Sequence, residues 1–523
     1  MTYRLAGALG TLVIGIPLMG DAASGDWLGN AEASGRIVVA DKAGDMPLSR
    51  DALFGVAPEP AKPAKQEAAP ASKDDLFALE PAADKPQQAQ PDAALPATRD
   101  ALFADDVPAK GDQKAGADAQ PAFPLRGFFQ TGFARTYADP AHWSKVLGRL
   151  ELGTQGRFGQ GVRWKLSGRV DYNAVYDLTD FYQEQVRDDQ RLDFQFRETY
   201  LDFSTGDVDW RVGRQQIVWG EMVGLFFADV VSAKDLREFV LPDFQTVRIP
   251  QWAARAEYFK NDFHAEVVWI PFPGYDEIGK PRNFLQPGSG ADFYPYPPAI
   301  APTILGEEKP DASLGHTNFG ARVSTLASGW DLSGFYYSSM NSAPTFYRTG
   351  PNTFTPRHDR IWQVGGTLAK DFRDFVLKAE AVYTDGRRYN LRTDLTDADG
   401  VVVQNNLDWV VGLDFNLTSD TRVNTQLFQR YFFDHAAGIV PDRAENGLSL
   451  LVNHTFSGNW EAEALLVHSL NRSDWMLRPK ASWGFRRDWK LTFGVDMFGG
   501  PPDGLFGQYD NQDRGYVEVR RDF

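Results

Sequence analysis

From Phe123 to Phe523 the chain alternates apolar and polar residues with a period of two, segment after segment. Val162, Trp164, Leu166, Gly168, Val170 and Tyr172 fall on one face, against Arg163, Lys165, Ser167, Arg169, Asp171 and Asn173 on the other. Trp409, Val411, Leu413, Phe415 and Leu417 oppose Asp408, Asp414 and Asn416 in the same way. Leu477, Ala481, Trp483 and Phe485 oppose Arg478, Lys480 and Ser482, and Trp489, Leu491, Phe493, Val495 and Met497 oppose Lys490, Thr492 and Asp496. A period of two is the signature of β-strands lying between two environments. The pattern predicts an all-β fold, a transmembrane antiparallel β-barrel of about eighteen strands over residues 122–523.

The links between strands support the same architecture. Tight turns are predicted at 159–161, 205–207, 260–262, 327–329, 371–373, 419–420, 457–459 and 486–488. Between them lie longer links near 138–143, 177–191, 219–248, 271–314, 341–356, 385–405, 434–444 and 499–512, with a short one at 471–473 on the same side. Short turns on one side and long loops on the other are the habit of an outer-membrane barrel. Closure is required because lipid offers no partner for an open strand edge.

Composition fits a wet-lumened barrel. Apolar residues make up 43% of the chain, yet mean hydropathy is −0.38. After the first residues no apolar run is long enough for a membrane helix. The 14 Trp, 18 Tyr and 37 Phe suit aromatic girdles at two membrane interfaces. A chain without cysteine has no disulfide, thiolate metal site or lipid-modified cysteine. A net charge of −16 argues against nucleic acid as partner.

Residues 1–23 read as a signal peptide, a basic start followed by an apolar stretch and small residues. Residues 24–121, rich in Ala, Pro, Asp and Lys, are expected to be a disordered periplasmic extension, because they bury too little apolar surface to offset chain entropy. That extension repeats a pattern of hydroxyl, base, acid, small or acidic residue, Leu, Phe. It occurs at Asp51, Leu53 and Phe54, at Asp74, Leu76 and Phe77, and at Asp100, Leu102 and Phe103. Repeated short motifs in a linker suit multivalent docking in an apolar groove of a periplasmic or envelope partner. A duplicated linker without a partner is the plain alternative.

The densest candidate chemistry lies at 193–202 and 212–221. If Phe194 and Phe196 face lipid, strict alternation puts Glu198 there too, which is destabilising. A bulge is therefore expected, or Glu198 turned into the lumen beside Arg197 or Arg214. Ser232-Ala233-Lys234-Asp235 reads as a capping box that opens a short helix over 233–241, closed by Pro242. Arg197, Glu198, Arg214, Gln215, Trp219 and Glu221 are the candidate lining of a lumen constriction. A structural ion-pair network holding the wall is an equal reading. Inward-facing charges along the strands are mixed in sign, which leaves ion selectivity open.

Enzymatic readings find little. Residues 274–280 match the start of a phosphate-binding loop, but Pro281 stands where a hydroxyl residue is needed. The seven histidines have no metal-ligand spacing, and His454 and His468 read as wall residues. No catalytic, metal or cofactor site is expected.

Several runs resemble one outer-membrane family: Arg-Glu-Thr-Tyr-Leu-Asp from Arg197, Gly-Arg-Gln-Gln-Ile-Val-Trp-Gly-Glu from Gly213, Trp-Asp-Leu-Ser-Gly-Phe-Tyr-Tyr from Trp330, and the stretch from Phe498 to Tyr509. The family is domain of unknown function 1302, and the Gly-Arg-Gln…Trp-Gly element is its most specific part. The resemblance spans roughly 125–523 and implies an outer-membrane channel, often linked with periplasmic carriers and with transport of lipids or hydrophobic compounds. It brings no catalytic residues, and the repeat-bearing extension departs from its pattern. The terminal Phe523, with Val517 and Val519 behind it, resembles the signal read by the barrel-assembly machinery, although Arg521 departs from it. The expected function is therefore a Gram-negative outer-membrane channel for a solute, lipid or polymer, coupled to a periplasmic or envelope partner. The alternative is a closed barrel that anchors a partner complex.

Overall fold

Alternating side chains need a closed sheet to separate lipid from lumen, and the chain forms one. The structure, a computed structural model, describes residues 125–523 apart from 160, 221, 223–226, 298–299 and 393–397. The signal segment and the Leu-Phe repeats lie outside the described residues.

The strands are β1 Leu125–Thr136, β2 Trp143–Phe158, β3 Val162–Asn173, β4 Leu192–Thr205, β5 Val208–Gln215, β6 Gln251–Lys260, β7 Phe263–Phe272, β8 Asn318–Ala327 and β9 Trp330–Met340. They continue as β10 Arg360–Asp371, β11 Val376–Asp385, β12 Asn406–Thr418, β13 Thr421–Phe432, β14 Ala444–Phe456, β15 Trp460–Ser469, β16 Trp475–Arg486, β17 Trp489–Gly499 and β18 Arg514–Asp522. Each pairs antiparallel with its sequence neighbour in one 18-stranded sheet, and β1 pairs with β18 to close it. Phe523 completes the seam, its backbone N–H donating to the Gly127 carbonyl at 2.9 Å and its carbonyl accepting from Gly127 at 2.8 Å. Short turns gather at one end and the long loops at the other, as the sequence predicts.

The two faces differ as membrane physics requires. On β7, Phe263, Val267 and Trp269 are exposed outward while Glu266, Val268 and Ile270 are buried inward. Outward aromatics collect at both rims. Phe158–Trp164, Phe203–Trp210, Trp460–Trp483 and Phe485–Trp489 pair beside the short turns. Tyr336–Trp362, Trp362–Tyr383 and Tyr431–Phe433 pair beside the loops. Two aromatic belts around an apolar exterior mark the outer-membrane type of barrel.

Wall charges are neutralised locally. Arg149 and Asp171 meet at 2.8 Å, Arg430 and Asp408 at 2.7 Å, Arg478 and Asp496 at 2.9 Å, and Lys480 and Glu463 at 2.9 Å.

The bulge expected near Glu198 is present. Leu166 pairs with Thr199 but Gly168 pairs with Phe196, so Arg197 and Glu198 together face Ser167. This keeps both charges off the lipid.

The helix expected over 233–241 is absent. Ala233–Lys234 is instead a short strand paired with Arg248–Ile249. The backbone donors that the cap and first turn would satisfy are taken elsewhere: Lys234 donates to Asp276, Asp235 to the Val247 carbonyl and Leu236 to the Glu277 carbonyl. The Ser232 hydroxyl, expected to cap, donates to the Ile217 carbonyl at 3.0 Å.

Candidate functional site: a loop folded across the lumen

The 216–250 loop leaves β5 and turns into the barrel. Its first part is anchored by shape. Ile217, Trp219, Ala228 and Val231 pack with Val268, Ile270, Phe335, Tyr337 and Val382 in one buried cluster. Trp219 is 1% exposed, with its ring 5.2 Å from that of Phe335 and 5.7 Å from that of Tyr337. Its indole N–H donates to Glu266 at 3.2 Å. Gly320 on β8 makes the room, since a Cβ there would stand 2.7 Å from the Trp219 ring.

Polar contacts carry the loop to the far walls. Glu380 on β11 accepts the backbone N–H groups of Met222 at 3.1 Å and Ala228 at 2.9 Å. Phe227 packs on Phe428 of β13 at 5.7 Å. Glu238 reaches Lys145 of β2 at 2.6 Å and Arg514 of β18 at 3.1 Å. Arg478 of β16 donates to the carbonyls of Val240 at 3.3 Å and Leu241 at 2.6 Å. Phe239, held at a φ of 54°, puts its ring against Phe293 and Tyr509 from two other loops. A non-glycine residue in that region is strained and persists because its surroundings over-determine it.

The sequence-derived candidates distribute around this loop. Arg197 donates to the Gln245 carbonyl at 2.6 Å, so it holds the loop from β4. Glu198 pairs with Lys165 at 2.8 Å, in place of Arg197 or Arg214. Arg214 pairs in register with Thr199, on the face of β5 that also carries Trp210 and Val212. Gln215 is fully buried and its amide donates to the carbonyls of Arg211 and Ala253, both at 3.1 Å. Trp219 is the apolar anchor, and Glu221 lies outside the described residues. Sequence reasoning missed Glu238 and Gly320, and took Glu380 and Arg478 only as lumen-facing wall charges. Alternation places Glu380 and Arg478 in the lumen, but nothing local names the loop as their partner.

Burial alone would raise the Glu238 carboxyl, but Lys145 and Arg514 outweigh it and hold it down at about 2, below the ordinary 4.5. A depressed carboxylate contributes stability that is present above pH 4.5 and is lost as pH falls toward 2. Asp235 shifts the same way: burial raises it, and Arg237 outweighs burial. Ion current is therefore expected to be higher at pH 3 than at pH 7, and Glu238→Gln should flatten that dependence. A pH-independent current in the unaltered protein would refute the Glu238 clamp.

Two clusters have metal-like composition. Glu257, His264 and Glu266 offer ligand atoms within 4.8 Å of one another, but Arg255 sits 2.8 Å from Glu257 and Trp219 bonds Glu266. Asp193, Asp235 and Glu277 enclose Arg237, at 2.5, 2.7 and 3.2 Å. In both, an arginine supplies the positive charge a cation would bring.

Residues 142–420 match the family described as "Protein of unknown function (DUF1302)". The chain belongs to that family. No curated protein matches this DUF1302 chain in sequence. Among solved structures it is similar to OmpF of Salmonella typhi in complex with daunomycin, at 9% identity over 77% of this chain and 97% of that one, with a TM-score of 0.40. It is also similar to Pseudomonas aeruginosa OccK2 (OpdF) in complex with glucuronate, at 9% identity, 77% and 98% coverage and a TM-score of 0.45. Acinetobacter baumannii OccAB3 gives 9% identity, 77% and 99% coverage and a TM-score of 0.45.

Proposed function

We propose that this DUF1302 protein is a gated channel of the Gram-negative outer membrane that passes or exports a solute, lipid or polymer. The observation that supports this most is the 216–250 loop, a single chain segment tied across the lumen to strands on several sides by separable ion pairs and carbonyl contacts. Such ties let a loop move without unfolding the wall, as loops that set access to a site do. Arg197, Glu198, Arg214, Gln215 and Trp219 belong to this gate or to the wall beneath it. In this reading the extension lies in the periplasm, and its Leu-Phe repeats at 51–54, 74–77 and 100–103 recruit a periplasmic or envelope partner that couples transport to the cell interior. The protein carries out no chemistry of its own.

A second reading is favoured by the same loop folded into the lumen: the barrel is an anchor and the repeats are its working part. Single-channel recording in a planar bilayer, with the full chain and with a chain lacking residues 45–105, separates the two. Steady current from both chains supports the channel. Absence of current under all voltages and pH values, with the cellular phenotype lost on deleting 45–105, supports the anchor.

A further inference from the structure

On the long-loop side of the infolded segment lies a cavity of about 560 Å³. That is within the ~300–1,000 Å³ range of sites for small organic molecules. Phe227 and Val231 of the loop, Tyr337, Ile361 and Phe428 of the wall, and Phe506 of the 500–513 loop give it an apolar lining. A lumen built only to pass ions has no use for such a lining, since water wets polar walls at lower cost.

The charges around the cavity do not balance. Its carboxylates are already engaged. Asp229 pairs with Arg248 at 2.7 Å and Asp408 with Arg430 at 2.7 Å. Glu445 pairs with Arg472, and Asp503 with Arg392. Asp474 accepts three backbone N–H groups, from Leu505 at 2.8 Å, Phe506 at 3.0 Å and Gly507 at 2.8 Å. Arg387 also lines the cavity, and its Nε is shielded from solvent with no hydrogen-bond partner. Among the described residues no carboxylate pairs with it. A guanidinium is always charged, and its shielded Nε–H without an acceptor is costly. The cavity thus offers one unmatched cation beside an apolar surface.

We propose that this vestibule binds an amphiphilic organic anion, a carboxylate carried on an apolar chain or ring, with its charged group on Arg387 and its body against the lining around Ile361 and Phe428. A cation finds no free carboxylate here, and an inorganic anion leaves the apolar lining unused. The direction in which the ligand then travels rests on the channel reading, while binding does not.

The test is calorimetry on the full chain in nanodiscs, with phenylbutyrate as probe and phenylbutanol and butyrate as comparators. Phenylbutyrate is expected to bind at one site per chain, with each comparator about tenfold weaker or more, the loss expected for one charged hydrogen bond or one buried ring. Arg387→Gln should bring phenylbutyrate down to the level of phenylbutanol and leave phenylbutanol unchanged. Ser339→Phe, which fills the cavity from its wall, should abolish both. Equal affinity for acid and alcohol, indifference to Arg387→Gln, or no binding at all would overturn the proposal. Binding lost with current intact leaves the channel standing without this site. Binding intact with no current at any voltage leaves the site standing without the channel.

Discussion

Glu238→Ala combined with Glu380→Ala is expected to raise single-channel current several-fold and to expose the 216–250 loop to protease added from the long-loop side. The two carboxylates hold the loop at separate places. Removing Glu380 leaves the buried N–H groups of Met222 and Ala228 without their acceptor, at ~1–3 kcal/mol each. Removing Glu238 strands Lys145 and Arg514 beside one another without their shared carboxylate. Breaking a buried pair from one side costs ~3–5 kcal/mol. Asp496 still holds Arg514 at 3.0 Å, so the lower end of that range applies. Contacts on β11 and on β2 with β18 share no partner, so the losses add to within a few tenths of ~1 kcal/mol. Each ~1.4 kcal/mol moves the closed-to-open ratio tenfold, so the double variant shifts the loop strongly toward release. Val411→Ala on β12 is the comparator. Its side chain is exposed on the outer face, so its current should stay near wild type. An unchanged current in the double variant, with the loop still protected, would show that the loop is held by other means or does not obstruct flow.

How much of this was legible follows from how local each signal is. Strand positions, the eighteen-strand closure and the division into turns and loops are written in neighbouring residues, because lipid and lumen impose a period of two on every strand. The bulge was legible for the same reason: Glu198 breaks the alternation, and the backbone shifts to remove it from lipid. The helix over 233–241 misled because its capping pattern is local while its outcome is not. Donors that a cap and helix would satisfy within a few residues go instead to Asp276, Glu277 and Val247, which only the folded loop brings near. Glu238 gave no signal, and Glu380 gave only that of a lumen-facing wall charge. Each is one acidic residue among many, and its meaning lies in a partner 93 or more positions away, such as Lys145 for Glu238 and Ala228 for Glu380. Glycine at 320 likewise reads as nothing until an indole is seen filling the space above it.

Trp219→Ala should release the near end of the same loop, and Gly320→Val should reproduce it from the wall. Trp219 is almost fully enclosed by Phe335, Tyr337 and the glycine face of β8. Truncating a buried tryptophan costs ~3–5 kcal/mol, because the lost transfer energy is joined by a cavity. In a valine at 320 the new Cβ would stand 2.7 Å from both the Trp219 and Tyr337 rings, and neither can retreat within a packed cluster. Overpacking of this kind costs ~1–3 kcal/mol, so Gly320→Val should be the milder of the two. Trp219→Phe keeps a ring in place and loses only the 3.2 Å bond to Glu266, a charged hydrogen bond worth ~1.5–3 kcal/mol. The ladder between β7, β8 and β9 does not pass through the loop, so circular dichroism should show an intact barrel in all three variants. What should change is current: flickering, subconductance-rich recordings in Trp219→Ala, and weaker effects in Gly320→Val and Trp219→Phe, whose costs overlap. A larger effect in Trp219→Ala than in Trp219→Phe identifies packing, rather than the hydrogen bond, as the main part of the anchor. Recordings as quiet as wild type in Trp219→Ala would mean that the polar clamps at Glu238 and Glu380 suffice, and that Trp219 only fills space.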